Sequence, residues 1–377
     1  VNGCDAGREG ELIFRFVYEQ AGCTKPFSRL WISSMEDSAI REGFAVRRAG
    51  TEYDALYQSA LCRARADWLV GINATRLFSV LYHKTLNVGR VLSPTLNLLV
   101  ERDGKITMFH KEKYHIVHIG CGGVDAKSER ISDATAADAL KTACEASQAV
   151  CVSLKKEKKT ALPPKLFDLT SLQREANRVY GFTAKQTLDY AQSLYEKRFL
   201  TYPRTDSNYL TEDMAQTATD LAAALLPVLP FMQGAELMPE IGRVINSAKV
   251  SDHHAIIPTT AFAGSGFDGL PESEKKLMSL VCCKLLCASA EPYVYETVTA
   301  TFDCCGHSFT AKGKRVISEG WREIDRIFRA FLKEKPADGD GDTLPDFTEG
   351  QTFDGAEVAV TEHFTQPPKP YTEDTLL

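Results

Sequence analysis

The first sixteen residues, Val1 to Phe16, constrain the fold most, because they combine a strand, an acidic turn and a helix in one short run. Asp5 lies among glycines, and a helix is predicted from about Glu9. This order of elements typically presents carboxylates at the carboxyl edge of an α/β sheet. Such oxygens suit a hard cation such as Mg²⁺. The open alternative is that Glu9 and Glu11 only complement the helix dipole.

The stretch FLTYPRTDSNYL, Phe199 to Leu210, carries the strongest chemical signal. Pro203 bars helix continuation, so Tyr202 is expected at the end of an element. Arg204 points the same way as Tyr202 in an extended chain, and its guanidinium matches phosphate oxygens. The pattern favours phosphoryl transfer to tyrosine, whereas on local composition alone a surface turn with a half-buried tyrosine is the commoner structure.

Two further segments favour a phosphate ligand. In SDHHAIIPTT, Ser251 to Thr260, one of two adjacent histidines could touch a phosphate or move a proton to a leaving oxygen, although a lone histidine is more often structural. In LNVGRVLSP a glycine–arginine loop opens a helix N-terminus, with Ser93 as the expected N-cap and Pro94 as the first helical residue. A simple loop-to-helix join is the alternative there.

Hydrophobic periodicity and turn residues predict the other elements. They indicate a long helical region, two capped helices, several strands and one hairpin. The apolar stripe of Leu188, Ala191 and Tyr195 is interpreted as core rather than as part of a site. The predicted segments are Arg29 to Ile32 (strand), Tyr53 to Leu81 (helix), Tyr114 to Ile119 and Val150 to Leu154 (strands), helices capped by Thr170 with Gln173 before Gly181 and by Thr183 with Gln186, a hairpin with its turn at Cys305-Gly306, and Glu357 to Phe364 (strand).

Composition is that of an ordinary globular protein, and charge is segregated along the chain. The net charge is −6, yet residues 63–105 hold seven Lys or Arg against three acids, and residues 151–210 hold eleven against six. Residues 335–377 hold two against ten. A basic lining inside an acidic shell is compatible with a groove for nucleic acid, although such runs are often only solvated faces. The eleven cysteines lack disulfide or zinc spacing and predict reduced, mostly buried thiols.

Taken together, these motifs resemble a type IA DNA topoisomerase, most closely the bacterial topoisomerase III branch. No single motif is specific, but the ordered set covers essentially the whole chain. The set is DAGREGE, RLWISS, ARADWLVGINATRLFS, NVGRVLSPTLNLLVERD, DLTSLQREAN, FLTYPRTDSNYL, DHHAIIPTT and HFTQPPKPYTEDTLL.

The resemblance implies roles for individual residues. Tyr202 is the expected nucleophile that forms a 5′-phosphotyrosine link, and Arg204 stabilises the phosphate. His253 aligns with a histidine near the scissile phosphate, and Asp5 and Glu9 match acidic Mg²⁺-binding positions, with Glu9 also catalytic. We therefore expect the phenol of Tyr202 and the turn at Asp5 to share one pocket. The residues expected to contact DNA are Asn87, Val88, Gly89, Arg90, Val91, Leu92, Arg65 and Arg76.

The resemblance also implies a multi-domain α+β fold, the type IA topoisomerase toroid with a partial Toprim α/β domain, helical winged-helix-like domains and a β-rich arch. It further implies single-stranded and negatively supercoiled DNA as substrates, a monomer, no membrane association, a helicase or single-strand-binding protein as partner, and a cytoplasmic, nucleoid-associated location. The expected domains are residues 1–50 (partial Toprim), 51–108 (helical DNA-binding base, part), 109–164 (arch, first part), 165–290 (helical, carrying Tyr202), 291–363 (arch, return part, with a linker at 335–350) and 364–377 (start of a truncated base domain).

Three departures from the family pattern qualify this expectation. Gly7 stands where the family usually has a second aspartate, which leaves the number of metals open. The family's first Toprim strand, with its glutamate and lysine, would precede Val1, and the base domain would continue beyond Leu377. We therefore expect these 377 residues alone to cleave DNA poorly, and the polypeptide with its natural N-terminus to cleave and relax it.

Two other classes stay open at this stage. A non-catalytic single-strand-binding fragment would bind DNA in a salt-sensitive way and form no covalent adduct. A tyrosine recombinase or another Toprim nuclease is the third class. Recombinases link to the 3′ phosphate, so the polarity of the covalent link separates them from the leading hypothesis.

Overall fold

A computed structural model of the chain describes residues 1–33, 37–234, 237–334, 344–354 and 357–377. The chain forms two compact units. The first unit contains residues 1–103, 164–290 and 371–377, and the second contains residues 104–163 and 291–370. Each unit therefore assembles from segments that are distant in sequence.

The first unit is mainly helical and has one small two-stranded sheet. Its elements are α1 (Arg8–Gln20), β1 (Ser28–Arg29), α2 (Asp37–Ala45), β2 (Arg48–Ala49), a 3₁₀ turn (Gly50–Tyr53), α3 (Asp54–Leu81), α4 (Leu92–Thr107, whose last residues belong to the second unit), α6 (Leu169–Tyr180), α7 (Ala184–Glu196), α8 (Ala215–Leu225), α9 (Thr260–Ser265), α10 (Glu272–Ala288), α12 (Glu373–Leu376), and 3₁₀ turns at Glu212–Met214, Ile241–Val244 and Ser247–Lys249.

The second unit is built on a seven-stranded antiparallel sheet. Its elements are β3 (Lys113–Cys121), β4 (Val124–Lys127), α5 (Ala134–Glu145), β5 (Ala149–Ala161), β6 (Tyr293–Cys304), β7 (His307–Ser318), α11 (Trp321–Phe331), β8 (Thr352–Phe353) and β9 (Glu357–Phe364). The strand order is β8-β5-β6-β7-β4-β3-β9. Buried side chains from the sheet and from α5 form its core, including Ile119, Leu140, Phe302 and Phe309. The multi-domain α+β class predicted from the sequence is confirmed.

A buried charge network holds the N-terminal acidic turn in place. The carboxylate of Glu11, in α1, is fully buried and accepts from Asn2 Nδ2 at 2.8 Å, pairs with Arg15 Nε at 2.8 Å and lies 3.0 Å from Arg29 Nε. The guanidinium of Arg29 also donates to the backbone carbonyls of Cys4, at 2.6 Å, and Asp5. Because a buried charge must be paired, this network fixes the backbone position of Asp5 and so the place from which its carboxylate projects.

Several local signals in the sequence are confirmed by the structure. Gly181 ends α6 with φ 69°, a left-handed conformation that glycine adopts without strain. Thr183 caps α7 together with Gln186. Cys305 and Gly306, both with positive φ, form the turn between β6 and β7. The strand predicted over Glu357 to Phe364 is β9.

Other local predictions were wrong. The N-cap of α6 is Asp168 rather than Thr170, because its carboxylate accepts from Ser171 N at 2.7 Å. The helix α4 begins at Leu92, and Ser93 Oγ accepts from Gly89 N at 3.3 Å inside the first turn instead of serving as the N-cap. The strand expected from Arg29 to Ile32 is only the two-residue β1.

Two features bear on the sequence-based organisation of the chain. The basic run from Lys155 to Lys159 lies inside β5, paired with β6, and the two units meet in sequence at Pro163 and Pro164. Of the linker predicted over residues 335–350, residues 335–343 lie outside the described residues.

All eleven cysteines are free thiols, and seven of them are buried. Every helix in the described part of the chain is too short or too polar to span a bilayer.

Candidate functional site

The segment from Phe199 to Leu210 is extended and is held on both sides by its neighbours in the first unit. Thr201 N donates to the Ile257 carbonyl at 3.0 Å, and Leu169 N donates to the Thr205 carbonyl at 3.0 Å. Thr205 Oγ1 also donates to the His253 carbonyl, at 2.7 Å. Because Pro203 has no N–H and is buried, the segment cannot continue as helix after α7. These bonds place Tyr202 beside His253.

Tyr202 lines a cleft with a volume of about 440 Å³. Side chains from the acidic turn, the end of α7, the Tyr202 segment and the histidine segment all contribute to its wall. The lining residues are Asp5, Ser33, Tyr195, Glu196, Arg198, Leu200, Thr201, Tyr202, His253, His254 and Thr259. The phenol of Tyr202 and the turn at Asp5 therefore share one cleft, as the sequence predicted.

The Tyr202 ring is half-buried between two other rings. Its centroid lies 4.4 Å from that of His253 and 5.3 Å from that of Tyr195, which meets it edge to face. Burial raises the pKa of the Tyr202 phenol, the nearby Asp5 carboxylate raises it further, and the Arg204 guanidinium lowers it. The phenol is therefore protonated at neutral pH and must lose its proton in any reaction in which its oxygen acts as a nucleophile.

His253 connects Tyr202 with Asp5. Its Nε2 atom is buried, makes no hydrogen bond to a described residue, and lies 3.8 Å from Oδ2 of Asp5, too far for a hydrogen bond. The Asp5 side chain is 61% exposed. A buried nitrogen without a partner beside an exposed carboxylate leaves room and bonding capacity for a polar ligand in the cleft.

The two adjacent histidines differ in environment. His254 is buried, its Nδ1 lies 2.8 Å from the Ala255 carbonyl oxygen, and burial lowers its pKa. The His254 ring is therefore neutral at physiological pH. Of the two, His253 is the one whose ring contacts both Tyr202 and Asp5.

The three acids of the N-terminal motif occupy different environments. Asp5 faces the cleft. Glu9 is 68% exposed on α1, and its Oε1 lies 3.7 Å from Arg63 Nη1 of α3. Glu11 is buried in the network with Arg15 and Arg29 and so is not available to an added cation. Glu11 therefore has a structural role in this buried network, beyond the helix-dipole role that was the alternative from the sequence.

Arg204 is exposed and forms no hydrogen bond or ion pair with another residue in the described part of the chain. It does not line the cleft, but it is close enough to lower the pKa of Tyr202. An unpaired guanidinium beside the phenol retains all of its donors for a ligand.

The residues predicted to contact DNA lie elsewhere in the first unit, on α3 and on the loop before α4. Arg65 and Arg76 are exposed on α3. They are eleven residues apart and share one helix face, about 16 Å from each other along the axis. In the loop, Val88 N donates to Thr75 Oγ1 at 3.0 Å, and Arg90 Nε pairs with Asp67 Oδ2 at 2.6 Å. Asn87, Val91 and Leu92 are exposed and Gly89 is half-buried.

The sequence analysis missed one residue of the cleft. Tyr195 was assigned to the core stripe of α7, and that assignment was wrong, because its side chain is 38% exposed and lines the cleft. Ala191, in the same stripe, is fully buried as predicted. The missed signal is that Tyr195 lies one residue from the end of α7, where the helix leaves the core.

The carboxylates near the cleft do not form a closed metal cage. Within the described residues, the group with three ligand atoms inside 4.8 Å is Cys144, Cys304 and Cys305 of the second unit. Burial raises the pKa of the Cys144 and Cys304 thiols, so both are protonated and are poor metal ligands. The exposed carboxylate of Asp5 offers the kind of oxygen ligand that suits Mg²⁺, which keeps several waters and is held by one or two carboxylates.

Comparison with known proteins places this geometry in context. Residues 51–377 match the sequence profile of the DNA topoisomerase family. The chain is 39% identical over 387 residues to DNA topoisomerase 3 of Bacillus licheniformis, covering 99% of this chain and 52% of that protein. It is 39% identical over 386 residues to DNA topoisomerase 3 of Bacillus subtilis, with coverage of 99% and 52%. The chain thus spans about half the length of the curated relatives it matches.

The structure also matches a solved protein. It superposes on full-length topoisomerase I from Thermotoga maritima with a TM-score of 0.72 and 26% sequence identity, covering 99% of this chain and 61% of that one. The match extends over both units, since nearly every residue of the chain is included.

Proposed function

Because the chain belongs to the DNA topoisomerase family, we propose that it carries the strand-cleaving centre of a type IA topoisomerase of the topoisomerase III kind. Such an enzyme breaks one DNA strand, passes another strand through the gap and reseals the break without ATP. The substrates in this proposal are single-stranded and negatively supercoiled DNA. In it, residues 1–50 are the Toprim part, and residues 109–164 and 291–363 form the arch that opens.

The proposed chemistry is a reversible transfer of one phosphodiester. The phenolic oxygen of Tyr202 attacks the phosphorus, a bond to the 5′ phosphate forms, the bond to the 3′ oxygen breaks, and the 3′ oxygen receives a proton while the phenol loses one. Religation is the reverse attack by the 3′ hydroxyl. One phosphodiester replaces another, so no ATP is needed, and positioning and charge neutralisation are the main tasks of the protein.

The neighbours of Tyr202 support distinct roles in this step. Arg204 lies near the phenol without a partner among the residues that the structure describes, and its planar fork suits the non-bridging phosphate oxygens. The ring of His253 contacts Tyr202, and its Nε2, which bonds to none of the described residues, can donate to the phosphate or pass a proton at the leaving oxygen. Both side chains are therefore assigned to the reacting phosphate.

A divalent cation is part of the proposal. The exposed carboxylate of Asp5 lines the cleft and offers oxygen atoms that suit Mg²⁺. Glu9 would contribute a second carboxylate from α1 once it gives up its weak contact with Arg63. When bound, the cation supplies positive charge that neutralises the phosphate. The chain's own contribution is to hold the Asp5 carboxylate on a backbone that Arg29 fixes through the carbonyls of Cys4 and Asp5.

The strand would be held by cationic side chains outside the cleft. Arg65 and Arg76 on one face of α3, and Arg90 with residues 87–92 at the start of α4, are assigned to the sugar-phosphate backbone. The exposed ion pair of Arg90 with Asp67 contributes little stability and can exchange for a phosphate. Affinity for single-stranded DNA should therefore fall steeply with salt.

The observation that carries the proposal is that Tyr202, His253 and Asp5 share one cleft. The test uses the protein as its gene encodes it, mixed with a single-stranded oligonucleotide and then denatured. We expect a labelled protein band when the oligonucleotide carries its label at the 3′ end, because Tyr202 would retain the downstream fragment. The band should disappear in Tyr202→Phe and persist in Tyr209→Phe, the matched change in the same segment.

The other outcomes favour other classes. A band obtained only with a 5′ label would indicate a 3′-phosphotyrosine link and a recombinase-like enzyme. Salt-sensitive binding with no covalent band in the unaltered protein would favour the non-catalytic, single-strand-binding alternative. A band that persists in Tyr202→Phe would remove Tyr202 from the mechanism.

A further inference from the structure

The carboxylate of Asp252 lies so close to Gly7 that a side chain at residue 7 would overlap with it. A Cβ atom built on Gly7 would lie 2.0 Å from Oδ2, 2.3 Å from Cγ and 2.5 Å from Oδ1 of Asp252. Non-bonded carbon atoms are in optimal contact at about 3.5–4.0 Å, so all three distances are far too short for a side chain at residue 7 to coexist with the Asp252 carboxylate in this position. The carboxylate of Asp252 therefore occupies the space in which the side chain of residue 7 would lie.

Hydrogen bonds hold the backbone of the Asp252 segment in this position. Ser33 Oγ donates to the Ser251 carbonyl at 3.1 Å, and Ser251 Oγ donates to Asp206 Oδ1 at 2.8 Å. On the following residue, the carbonyl of His253 accepts from Thr205 Oγ1. The approach of Asp252 to Gly7 is therefore fixed by the segments on either side of it.

Gly7 is also the position at which the acidic motif lacks its expected second aspartate. A carboxylate therefore lies where the side chain of residue 7 would be, but it comes from residue 252. We propose that Asp252 is the second carboxylate of the cation site, acting together with Asp5. This inference rests on the proposed function, because the cation is the one assigned to the cleaving centre.

The surroundings of Asp252 fit this assignment. Its side chain is half-buried and lies near the carboxylates of Asp206 and Asp5. Partly buried carboxylates close to one another repel unless a cation compensates their charge. Mg²⁺ bound by one or two carboxylates, with waters or a phosphate completing its shell, is the ligand that matches.

The geometry also makes glycine at residue 7 a condition for this position of the Asp252 carboxylate. Any side chain at residue 7 would displace the carboxylate from the place that it now occupies. This exclusion allows the carboxylate to be moved experimentally. The double variant Gly7→Asp/Asp252→Ala returns the carboxylate to the turn, and Gly7→Ala/Asp252→Ala fills the same space without charge.

The test is titration of the protein, in the absence of DNA, with Mn²⁺ as the probe, followed by electron paramagnetic resonance of the free ion. We expect Asp252→Ala and the isosteric Asp252→Asn to weaken Mn²⁺ binding by about tenfold or more. Gly7→Asp/Asp252→Ala should recover most of the affinity, whereas Gly7→Ala/Asp252→Ala should not. Asp252→Asn retains the shape of the side chain, so it answers the question even if the alanine variant folds poorly.

Either of two results would overturn the inference: unchanged Mn²⁺ affinity in Asp252→Asn, or equal recovery by the two double variants. The covalent-adduct assay separates this failure from that of the proposed function. An adduct at Tyr202 together with unchanged Mn²⁺ affinity in Asp252→Asn would reject the role of Asp252 alone. Loss of Mn²⁺ affinity in a protein that never forms an adduct would reject the cleavage proposal and support the cation site.

Discussion

The ring of His253 lies against the ring of Tyr202, with centroids 4.4 Å apart. This contact places an imidazole ring next to both the phenol and the Asp5 carboxylate, since the Nε2 atom of His253 is 3.8 Å from Asp5 Oδ2. The three side chains come from segments that are far apart in sequence. Their arrangement therefore depends on the packing of the whole first unit, and the predictions below test parts of that arrangement.

The ionisation of Tyr202 can be measured directly. The ultraviolet titration difference between the unaltered protein and Tyr202→Phe should have its midpoint above the ordinary tyrosine value of 10.0, because burial disfavours the phenolate. Asp5→Asn should lower the midpoint, and Arg204→Gln should raise it. The corresponding difference for Tyr209→Phe should lie below 10.0, because Lys249 and Lys165 stabilise that phenolate. A Tyr202 midpoint at or below that of Tyr209 would contradict this picture.

Gly10 is predicted to be essential for the shape of the acidic turn. A Cβ atom there would lie 2.2 Å from the backbone oxygen of Asp5, which cannot move without breaking the turn. Gly10→Ala should therefore destabilise the protein by about 1–3 kcal/mol in urea unfolding, despite the better helix propensity of alanine. Gly3→Ala, where nothing lies within 4 Å, is the control and should change stability by less than about 0.5 kcal/mol. Equal effects would indicate that the turn adapts.

The buried network around Glu11 is predicted to be structural. Glu11→Ala would leave the Arg29 guanidinium buried without its carboxylate, at a cost of about 3–5 kcal/mol. Glu42→Ala, an exposed acid on α2, should change the free energy of unfolding by less than about 0.5 kcal/mol. If Glu11→Ala unfolds at the same urea concentration as Glu42→Ala, the network does not hold the turn.

The stability of the protein should depend on pH through His254. Its pKa in the folded state is lowered from the ordinary value of 6.5, chiefly by burial, so the unfolded chain binds the proton first. Its contribution is therefore complete above pH 6.5 and is lost as pH falls towards the lowered pKa, with a slope of up to about 1.4 kcal/mol per pH unit. His254→Asn should show a smaller loss of stability on acidification. The same slope in both proteins would assign the dependence to other groups.

Local chemistry made part of the fold predictable. Gly181, the Cys305-Gly306 turn and the Thr183 cap depend on a few neighbouring residues, and the structure confirms all three. The cap of α6 was mispredicted because Asp168 and Thr170 are both good capping residues two positions apart. Choosing between them requires knowing that Asp168 also accepts from Asn208 Nδ2 at 2.9 Å, a contact across 40 residues.

Site residues could be predicted where a sequence motif itself indicates their chemistry. They could not be predicted where tertiary packing determines which side chains face the cleft. Tyr202 and Asp5 were named from their own segments, His253 was chosen over His254 from the family resemblance, and the structure brings all three into one cleft. Tyr195 was missed because helical periodicity cannot show that a cleft opens at the end of α7. The close approach of Asp252 to Gly7 was missed because no periodicity links two positions so far apart in sequence.

The hydrogen bond from Ser33 to Ser251 joins positions that are 218 residues apart. Translation adds about 5–20 residues per second, so the ribosome needs on the order of 10 to 40 s to make the second after the first. For that interval the nascent segment around Ser33 lacks the segment on which it later packs. Productive synthesis of this unit therefore depends on keeping the acidic turn and α1 from aggregating until the segments that contain Tyr202 and His253 have been made.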